Sequence, residues 1–285
     1  MPEGDTIFRT ARTLNRALQG AVVRRFFSAL AEPARADDER AFAGQRVVRV
    51  ESRGKWLLMV LGEDEASERV LATHMLMSGS WHVYAPGAAW QKPREQARIV
   101  VETDGFTAAG FRVPIAKVYA WEKLRRERKI PRVEEDLLRE EFDREAAVKR
   151  LMARAEETVG EAIVNQRVMA GVGNVFKSEV CFAERVSPFA LVGGLSEKQA
   201  RGLVEQARRQ LQANVLEDSG DRVVTYRGAH RRTTRNADPA ASLWVYGRRG
   251  EACRRCGAGI ERALQGDGAR VTYWCPVCQP AADAG

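Results

Sequence analysis

A chain of 285 residues fits about two domains of roughly 100 to 200 residues each. Its 45% hydrophobic and 29% charged residues support packed cores and exclude a disordered tail or a disulfide-rich miniprotein. The net charge of +8 attracts polyanions such as nucleic acid, with an ordinary solvated basic face as the alternative. No apolar run approaches the roughly 20 residues that cross a bilayer, and 1–20 lack the apolar centre of a signal peptide, so we expect a cytoplasmic protein without a membrane partner.

The first 120 residues change from a helical to a β-rich pattern. Apolar residues at helical spacing over 5–18, behind the N-cap-type residue Asp5, predict an amphipathic helix. Short β-rich runs broken by glycine, proline and acidic turns predict at least seven strands, with runs at 22–27, 46–51, 56–61, 70–74, 81–84, 98–102 and 107–111. This pattern indicates a β-sandwich or barrel and argues against a parallel βαβ fold.

Helical patterns dominate the middle of the chain. The run 130–136 is the predicted joint, because strand patterning stops before it. Helices are predicted at 143–154, 160–166, 174–185 and 196–216, with Ser196 and Gln199 in a capping-box pattern. The polar, basic segment 222–239 is interpreted as a mobile loop. The predicted domains are 1–130, 131–240 and 241–285.

Four of the five cysteines form two C-x2-C pairs near the end of the chain, Cys253 with Cys256 and Cys275 with Cys278. Two thiolate pairs at this spacing can close a tetrahedral zinc site. Two disulfides are the alternative, but such pairs without a signal peptide favour a metal. The runs 260–264 and 270–274 between the pairs read as strands, which predicts a β-hairpin zinc finger with one structural Zn²⁺. Cys181 is interpreted as a small core residue.

The amino terminus carries a candidate nucleophile. Pro2 is small, and initiator methionine is commonly removed ahead of small residues, so we expect the mature chain to begin with the secondary amine of Pro2. Such an amine attacks an electrophilic sugar carbon and forms an iminium, which is a strong electron sink. Glu3 is an adjacent carboxylate suited to general acid and base roles. Taken alone, a proline at position 2 is more often without function.

A glycine-rich turn lies at 166–179. Gly171 and Gly173 flank one residue, and Asn174 follows at a predicted helix start. Such a tight turn exposes backbone N–H groups to an anion such as phosphate. The alternative is an ordinary helix–turn–helix connection inside a core.

The opening Pro-Glu-Gly-Asp-Thr at 2–6, the turn at 171–179 and the four-cysteine tail occur together in this order. In this the chain resembles, over essentially its whole length, the formamidopyrimidine-DNA glycosylase and endonuclease VIII family of base-excision repair enzymes. Its opening is similar to the endonuclease VIII branch. The resemblance implies an α+β multidomain protein: an N-terminal helix plus β-sandwich, then a helical helix-two-turn-helix domain with a C-terminal β-hairpin zinc finger.

The resemblance also implies a catalytic set. Pro2 matches the nucleophile and Glu3 the general acid. Lys55, in Ser-Arg-Gly-Lys-Trp at 52–56, matches a hairpin lysine that contacts the phosphate beside the lesion. A surface lysine at a strand end is the alternative for Lys55.

Four further residues are implied to bind DNA. Asn174 and Arg270 match residues that contact backbone phosphates, which hold register without reading sequence. Lys177, in the matched turn segment, is assigned to DNA binding as well. Met77 falls where the family inserts residues into the gap left by a flipped base, with a core methionine as the alternative.

The implied function is a bifunctional glycosylase and abasic-site lyase that excises oxidised bases, with pyrimidines preferred, and cleaves by β,δ-elimination. The implied partner is damaged double-stranded DNA, with single-stranded DNA as a second form, bound by a nucleoid-associated monomer. Alternatives are an 8-oxoguanine or formamidopyrimidine glycosylase of the same family and a non-catalytic zinc-dependent DNA-binding protein. The chain departs from the family in three places. Eighteen residues separate the cysteine pairs, more than is usual, and Val-Asn-Gln at 164–166 replaces Leu-Asp-Gln. The segment 222–239 does not match the lesion-capping segment of the family, on which the choice of lesion would depend.

Overall fold

The computed structural model describes residues 2–62, 68–124, 126–215 and 242–280. The chain divides into two compact units, Met1–Arg132 and Val133–Gly285. The segment 222–239 lies outside the described residues, so its interpretation as a loop stays a prediction. Within the described ranges, no helix combines the length and the apolar character needed to cross a membrane.

The first unit is an antiparallel β-sandwich with one long helix. Helix α1 (Gly4–Leu18) precedes two sheets which, in the described part of the chain, have the strand orders β1-β6-β7-β5 and β2-β3-β4-β8. The strands are β1 (Arg25–Ser28), β2 (Arg46–Arg53), β3 (Trp56–Gly62), β4 (Arg69–His74), β5 (Ser80–Tyr84), β6 (Ala97–Glu102), β7 (Thr107–Phe111) and β8 (Ile115–Ala120). Residues of α1 and of both sheets, among them Ile7, Met59 and Ile99, share one buried apolar cluster. The predicted helix plus β-sandwich is confirmed.

Strand β3 shows why part of the sequence lacks an alternating pattern. It lies between β2 and β4, and successive side chains point to opposite faces of the sheet. Leu57 and Met59 enter the cluster shared with α1, whereas Trp56 and Leu58 pack with Ile130 on the other face. Because both faces are covered, every position of the strand is apolar or small and buried.

Two α-helices and one strand in the described part of this unit were not predicted, namely α2 (Ala31–Glu39), α3 (Trp121–Leu124) and β8. Helix α2 buries only Pro33, so no apolar period marks it in the sequence. Strand β8 is an edge strand in which only Ala116 is fully buried. The start of α1 also differs from the prediction, because Glu3 is the N-cap and Asp5 lies inside the first turn.

The second unit contains helices that share one apolar core. They are α4 (Arg144–Met152), α5 (Val159–Ile163), α6 (Asn174–Ala183) and α7 (Glu197–Ala213). Asp143 caps α4 by accepting a hydrogen bond from the Ala146 N–H at 2.9 Å. Ser196 and Gln199 form the predicted capping box of α7. Side chains from all of these helices meet in the core, including Leu151, Ile163, Phe176 and Leu203.

A β-hairpin follows within the same unit. Strand β9 (Glu261–Gln265) pairs with β10 (Arg270–Trp274), which confirms the predicted hairpin with β9 displaced by one residue. Helix α6 packs against β10, and the Tyr273 N–H donates to Ser178 Oγ at 3.1 Å. A small apolar cluster that includes Phe182, Val245 and Ile260 also contains two of the paired cysteines. The hairpin therefore packs directly on the helical core.

Candidate active site and nucleic-acid contacts

The start of α1 holds the predicted nucleophile and general acid. Pro2 is half-buried, whereas Glu3, the N-cap of the helix, is 0% exposed. The Glu3 carbonyl accepts a hydrogen bond from the Ile7 N–H at 3.1 Å, which begins the helix. Ile7 and Leu14 anchor this helix in the sandwich core. The packed helix thus fixes residue 2 at the surface with a carboxyl group buried directly behind it.

A second carboxyl group lies in the same helical turn. Asp5 is fully buried, with its Oδ2 atom 3.6 Å from Arg9 Nη2, and the Thr6 hydroxyl donates to Oδ1 at 3.4 Å. Burial raises the pKa of Asp5, since desolvation opposes the charged form more than the Thr6 and Arg9 contacts favour it. Sequence reasoning gave Asp5 only a capping role, and its place two residues from Glu3 was the only signal that it belongs to the site.

Lys55 lies in the two-residue turn between β2 and β3, where Gly54 has a φ of 56°. This turn is close to His74 at the end of β4. Burial, and secondly the charge of Lys55, lower the pKa of His74 to about 4. The His74 ring packs edge-on against Trp56, with 5.2 Å between the ring centroids. His74 is therefore uncharged at neutral pH, and sequence reasoning, which read it as an ordinary structural histidine, missed its link to Lys55.

The residues after β4 form a tight, exposed turn. His74 Nδ1 accepts a hydrogen bond from the Leu76 N–H at 3.1 Å, and the Gly79 N–H donates to the Met75 carbonyl at 2.8 Å. Leu76 has a φ of 45°, a left-handed conformation that costs a non-glycine residue roughly 1 kcal/mol. Leu76 is 43% exposed and Met77 is 69% exposed. Met77 is therefore not a core residue, and a constrained turn presents it to solvent.

In the second unit, Gln166 holds the glycine-rich turn together. Its Nε2 donates to the carbonyls of Val164 and Val172, at 2.8 and 3.0 Å, and its Oε1 accepts from the Gly171 N–H at 3.0 Å. Gly171 has a φ of 108°, which favours glycine, and Asn174 opens α6 immediately after the turn. The turn is thus a fixed frame that places Asn174 at a helix N-terminus, where anions are favoured.

Asn165 stands where the family usually has aspartate. Its Oδ1 accepts a hydrogen bond from the Arg167 N–H at 3.0 Å. Asparagine and aspartate side chains both make this kind of local bond to the backbone two residues ahead. The substitution therefore keeps the turn.

The side chain of Lys177 is buried, whereas direct contact with DNA requires an exposed side chain. It is 1% exposed, and its Nζ donates to Thr272 Oγ1 at 2.6 Å and to Gln265 Oε1 at 3.5 Å. A buried ammonium needs such polar partners because desolvation of a charge is costly. The prediction that Lys177 contacts DNA is corrected accordingly: its side chain joins α6 to the hairpin.

Arg270 is the first residue of β10 and is exposed. It lines a cavity of about 430 Å³ together with Asn165, Gln166 and Lys177. The structure thus brings the hairpin arginine and the turn that precedes α6 to one surface of the second unit. Asn174 is not part of the described lining of this cavity.

The four paired cysteines converge on one point, with all their Sγ atoms within 4.8 Å of one another. The Sγ atoms of Cys256 and Cys275 are 3.5 Å apart, and those of Cys253 and Cys278 are 3.9 Å apart. These distances are far longer than the roughly 2.05 Å of a disulfide. A tetrahedral zinc site with Zn–S bonds of about 2.3 Å separates its sulfurs by about 3.8 Å. The cluster therefore fits one tetrahedral metal ion.

Comparison with known proteins relates both units to the same enzymes. Residues 1–113 match the family model of the formamidopyrimidine-DNA glycosylase N-terminal domain, and residues 133–225 match that of the formamidopyrimidine-DNA glycosylase H2TH domain. A Streptomyces coelicolor protein named "Probable endonuclease 8 2" is 38% identical over 98% of this chain and 94% of its own length. A DNA-(apurinic or apyrimidinic site) lyase of Mycolicibacterium smegmatis is 36% identical over 99% of this chain and 100% of its own.

Solved structures support the same fold. Formamidopyrimidine-DNA glycosylase of Lactococcus lactis, in a crystal structure with Fapy-dG containing DNA, matches with a TM-score of 0.78 over 98% of this chain and 100% of that one. At 20% identity this likeness concerns the fold alone. It confirms the predicted order of helix plus β-sandwich, helical domain and finger hairpin. With two domain models and relatives matched along nearly its entire length, the chain belongs to the formamidopyrimidine-DNA glycosylase and endonuclease VIII family of DNA repair enzymes.

Proposed function

We propose that this protein is a bifunctional DNA glycosylase and abasic-site lyase that removes oxidised bases, pyrimidines in preference, and acts as a monomer on duplex DNA. The observation that carries the proposal is the half-buried Pro2 in front of the buried Glu3 at the fixed start of α1. Relatives named endonuclease 8 and abasic-site lyase, matched over nearly the whole chain, support the same activity. The opening Pro-Glu-Gly-Asp-Thr supports the endonuclease VIII branch.

Pro2 supplies the nucleophile in this proposal. Once Met1 is removed, the unprotonated amine attacks C1′ of the damaged nucleotide, and the base leaves with the electron pair of its glycosidic bond. The sugar ring opens to an iminium, which withdraws electrons from C2′. A proton is then lost from C2′ and the 3′ phosphate departs, and loss of a second proton, from C4′, releases the 5′ phosphate. Water finally hydrolyses the iminium and restores the amine.

Glu3 moves protons in these steps. A carboxyl group beside the reacting carbon can protonate the ring oxygen as the sugar opens and can accept a proton during elimination. Asp5, whose pKa is raised by burial in the same turn, is a second carboxyl group that can share a proton with the site. The buried position of Glu3 keeps water away from these transfers.

Phosphate contacts and one wedge hold the DNA. We assign phosphate contacts to Lys55, Asn174 and Arg270, because such contacts fix the register without reading sequence and suit an enzyme that scans all DNA. The exposed Met77 is the wedge that enters the gap left by the flipped base and offsets the lost stacking. The net charge of +8 supports binding to a polyanion.

We assign Zn²⁺ to the four-cysteine cluster. Cys253, Cys256, Cys275 and Cys278 would hold one ion, and the spacing of their sulfur atoms supports tetrahedral coordination. A site closed by four thiolates leaves no position for a substrate, so the ion would be structural. Its effect would be to fix the ends of the hairpin that carries Arg270.

Borohydride trapping on abasic and lesion-containing duplexes tests the proposal. The protein that has lost Met1 should crosslink to DNA through residue 2, because borohydride reduces the iminium to a stable amine. A variant with extra residues ahead of Pro2 should lose the crosslink. Glu3→Gln should slow base excision by about 100-fold or more while DNA affinity changes little, because proton transfer is what the substitution removes.

Full crosslinking by the blocked variant would rule out Pro2 as the nucleophile. DNA binding without excision or crosslinking in the unblocked protein would instead indicate a zinc-dependent DNA-binding protein that kept the fold and lost the chemistry.

A further inference from the structure

A buried polar network joins helices of the second unit to the hairpin. Gln265, the last residue of β9, is 6% exposed. Its Nε2 donates to Thr158 Oγ1 at 2.8 Å and to the Pro188 carbonyl at 2.7 Å. Its Oε1 accepts from Thr272 Oγ1 at 2.9 Å and from Lys177 Nζ at 3.5 Å. The amide therefore uses both of its N–H donors and both lone pairs, which leaves it little freedom to move.

Lys177 adds a charge to this network. Its Nζ lies 2.6 Å from Thr272 Oγ1, and both residues are almost completely buried, at 1% and 0% exposure. Hydrogen bonds in which the donor is charged are the stronger ones, and breaking one inside the protein leaves a buried charge poorly compensated. The Lys177–Thr272 contact therefore resists any sliding of β10 along α6.

The backbone around the network is packed too closely to accept larger side chains at two glycines. A Cβ atom at Gly160 would overlap the side-chain amide of Gln265, and one at Gly266 would overlap the carboxylate of Glu161. Thr158, which receives the Gln265 amide, also donates to Glu161 at 2.5 Å. The hairpin therefore packs closely against α5 and is also hydrogen-bonded to the residue that precedes this helix, Thr158.

The network reaches the surface at Arg270. Thr272 and Arg270 are two residues apart on β10, so their side chains lie on the same face of the strand. Arg270, Lys177 and Gln265 line the same cavity of about 430 Å³. Any shift of Thr272 along the strand would therefore move the Cα atom of Arg270 by a similar distance.

We propose that Lys177 is a positioning residue for DNA binding: its buried ammonium fixes β10 against α6 through Thr272 and Gln265 and thereby sets Arg270 against its phosphate. The inference rests on the phosphate contact proposed for Arg270. It gives Lys177 an indirect role, in which its charge acts on the hairpin and not on the DNA.

A double-mutant cycle on the full-length, metal-loaded protein separates these roles. Arg270→Ala should weaken binding to a duplex with a stable abasic-site analogue by about tenfold and lower the salt slope by about one ion. Lys177→Met removes the ammonium and keeps the side-chain length. It should weaken binding by roughly threefold to tenfold in the wild-type background and by less than about twofold in the Arg270→Ala background, because its effect passes through Arg270.

Lys198→Met, at an exposed lysine of α7, is the control for the loss of one charge and should change affinity by less than about twofold. Additive losses of DNA affinity for Lys177→Met and Arg270→Ala would overturn the inference. An affinity loss in Arg270→Ala with none in Lys177→Met would overturn it as well. Either result would leave the Arg270 contact in place. An Arg270→Ala variant that binds like the wild type would overturn both the contact and the inference.

Metal content and the thermal midpoint show whether each variant is folded. If Lys177→Met loses its metal or unfolds, Thr272→Val replaces it in the double-mutant cycle with Arg270→Ala. Valine keeps the shape of threonine and has a methyl group in place of the hydroxyl. A smaller loss of affinity that again disappears in the Arg270→Ala background is expected. An affinity loss that persists in that background would overturn the inference.

Discussion

His74 lies between Lys55 and the exposed turn that carries Met77, and its ring interacts with both. Its Nδ1 accepts the Leu76 N–H, which requires the neutral imidazole with its proton on Nε2. Burial and the charge of Lys55 both disfavour the imidazolium. Protonation would therefore place a second cation beside Lys55 and remove the acceptor that holds the turn carrying Met77.

We expect His74 to be neutral at neutral pH and in mildly acidic solution well above its pKa of about 4. The unfolded chain titrates this group near its ordinary pKa of about 6.5, whereas the folded protein has a pKa of about 4. Between these values the unfolded state binds more protons, so the unfolding free energy contributed by His74 falls as the pH decreases from about 6.5 to about 4. NMR titration of the imidazole and denaturation at several pH values would measure both effects.

His82→Gln is the matched control for His74→Gln. Burial, with a contribution from Lys92, lowers the pKa of His82 too, so both variants should weaken the pH dependence of stability. Only His74→Gln should also speed amide exchange at Leu76, because only His74 accepts that N–H. A His74 ring that titrates near pH 6.5 in the folded protein would contradict this account.

The finger hairpin depends on contacts outside itself. Its strands have five residues each, and an isolated two-stranded hairpin is marginally stable in water. The small apolar cluster beneath it includes Cys253 and Cys275, so two of the proposed metal ligands are also part of the buried surface. Loss of the metal would therefore weaken the packing as well as the connection between the cysteine pairs.

We expect one zinc ion per chain and selective unfolding of the hairpin on chelation, because zinc binding is coupled to folding. Amide exchange in β9 and β10 should accelerate, while β3 and β4 of the other unit should keep their protection. Cys181→Ala is the control and should retain the metal, since Cys181 is a buried core thiol whose pKa burial raises to about 12. Metal-free protein with unchanged protection in β10 and full DNA affinity would refute the assignment.

Elements with a strong local pattern could be predicted from the sequence, and those held by tertiary contacts could not. The apolar period of α1, the capping box of α7 and the spacing of the cysteines are local signals. Helix α2 and strand β8 lack such signals because they bury few side chains. The site shows the same limit, since the partners of Lys177 lie 88 and 95 residues away in sequence. A lysine on a helix gives no local sign that it will be buried against a hairpin.

At the scale of the whole molecule, the net charge, the proposed phosphate contacts and the proposed amine chemistry would act on every damaged nucleotide alike. A positive net charge and the proposed phosphate contacts would attract any duplex, and the proposed attack of Pro2 at C1′ requires only a deoxyribose. Discrimination between lesions must therefore arise from hydrogen bonds and shape around the flipped base. Apart from the opening at 2–6, the sequence gives one sign of lesion class: 222–239 contains no recognisable purine-capping segment.

We expect oxidised pyrimidines, such as 5-hydroxyuracil and thymine glycol, to be excised faster than 8-oxoguanine opposite cytosine. A methylene-sized difference in an apolar pocket changes rates by roughly 10-fold to 200-fold, and an unpaired hydrogen-bonding group changes them by far more. A real preference should therefore be clear in single-turnover excision from otherwise identical duplexes. Borohydride trapping on an abasic duplex is the internal control, because it reports the amine chemistry without base recognition. Faster excision of 8-oxoguanine, with trapping unchanged, would move the protein to the formamidopyrimidine branch and leave the role of Pro2 intact.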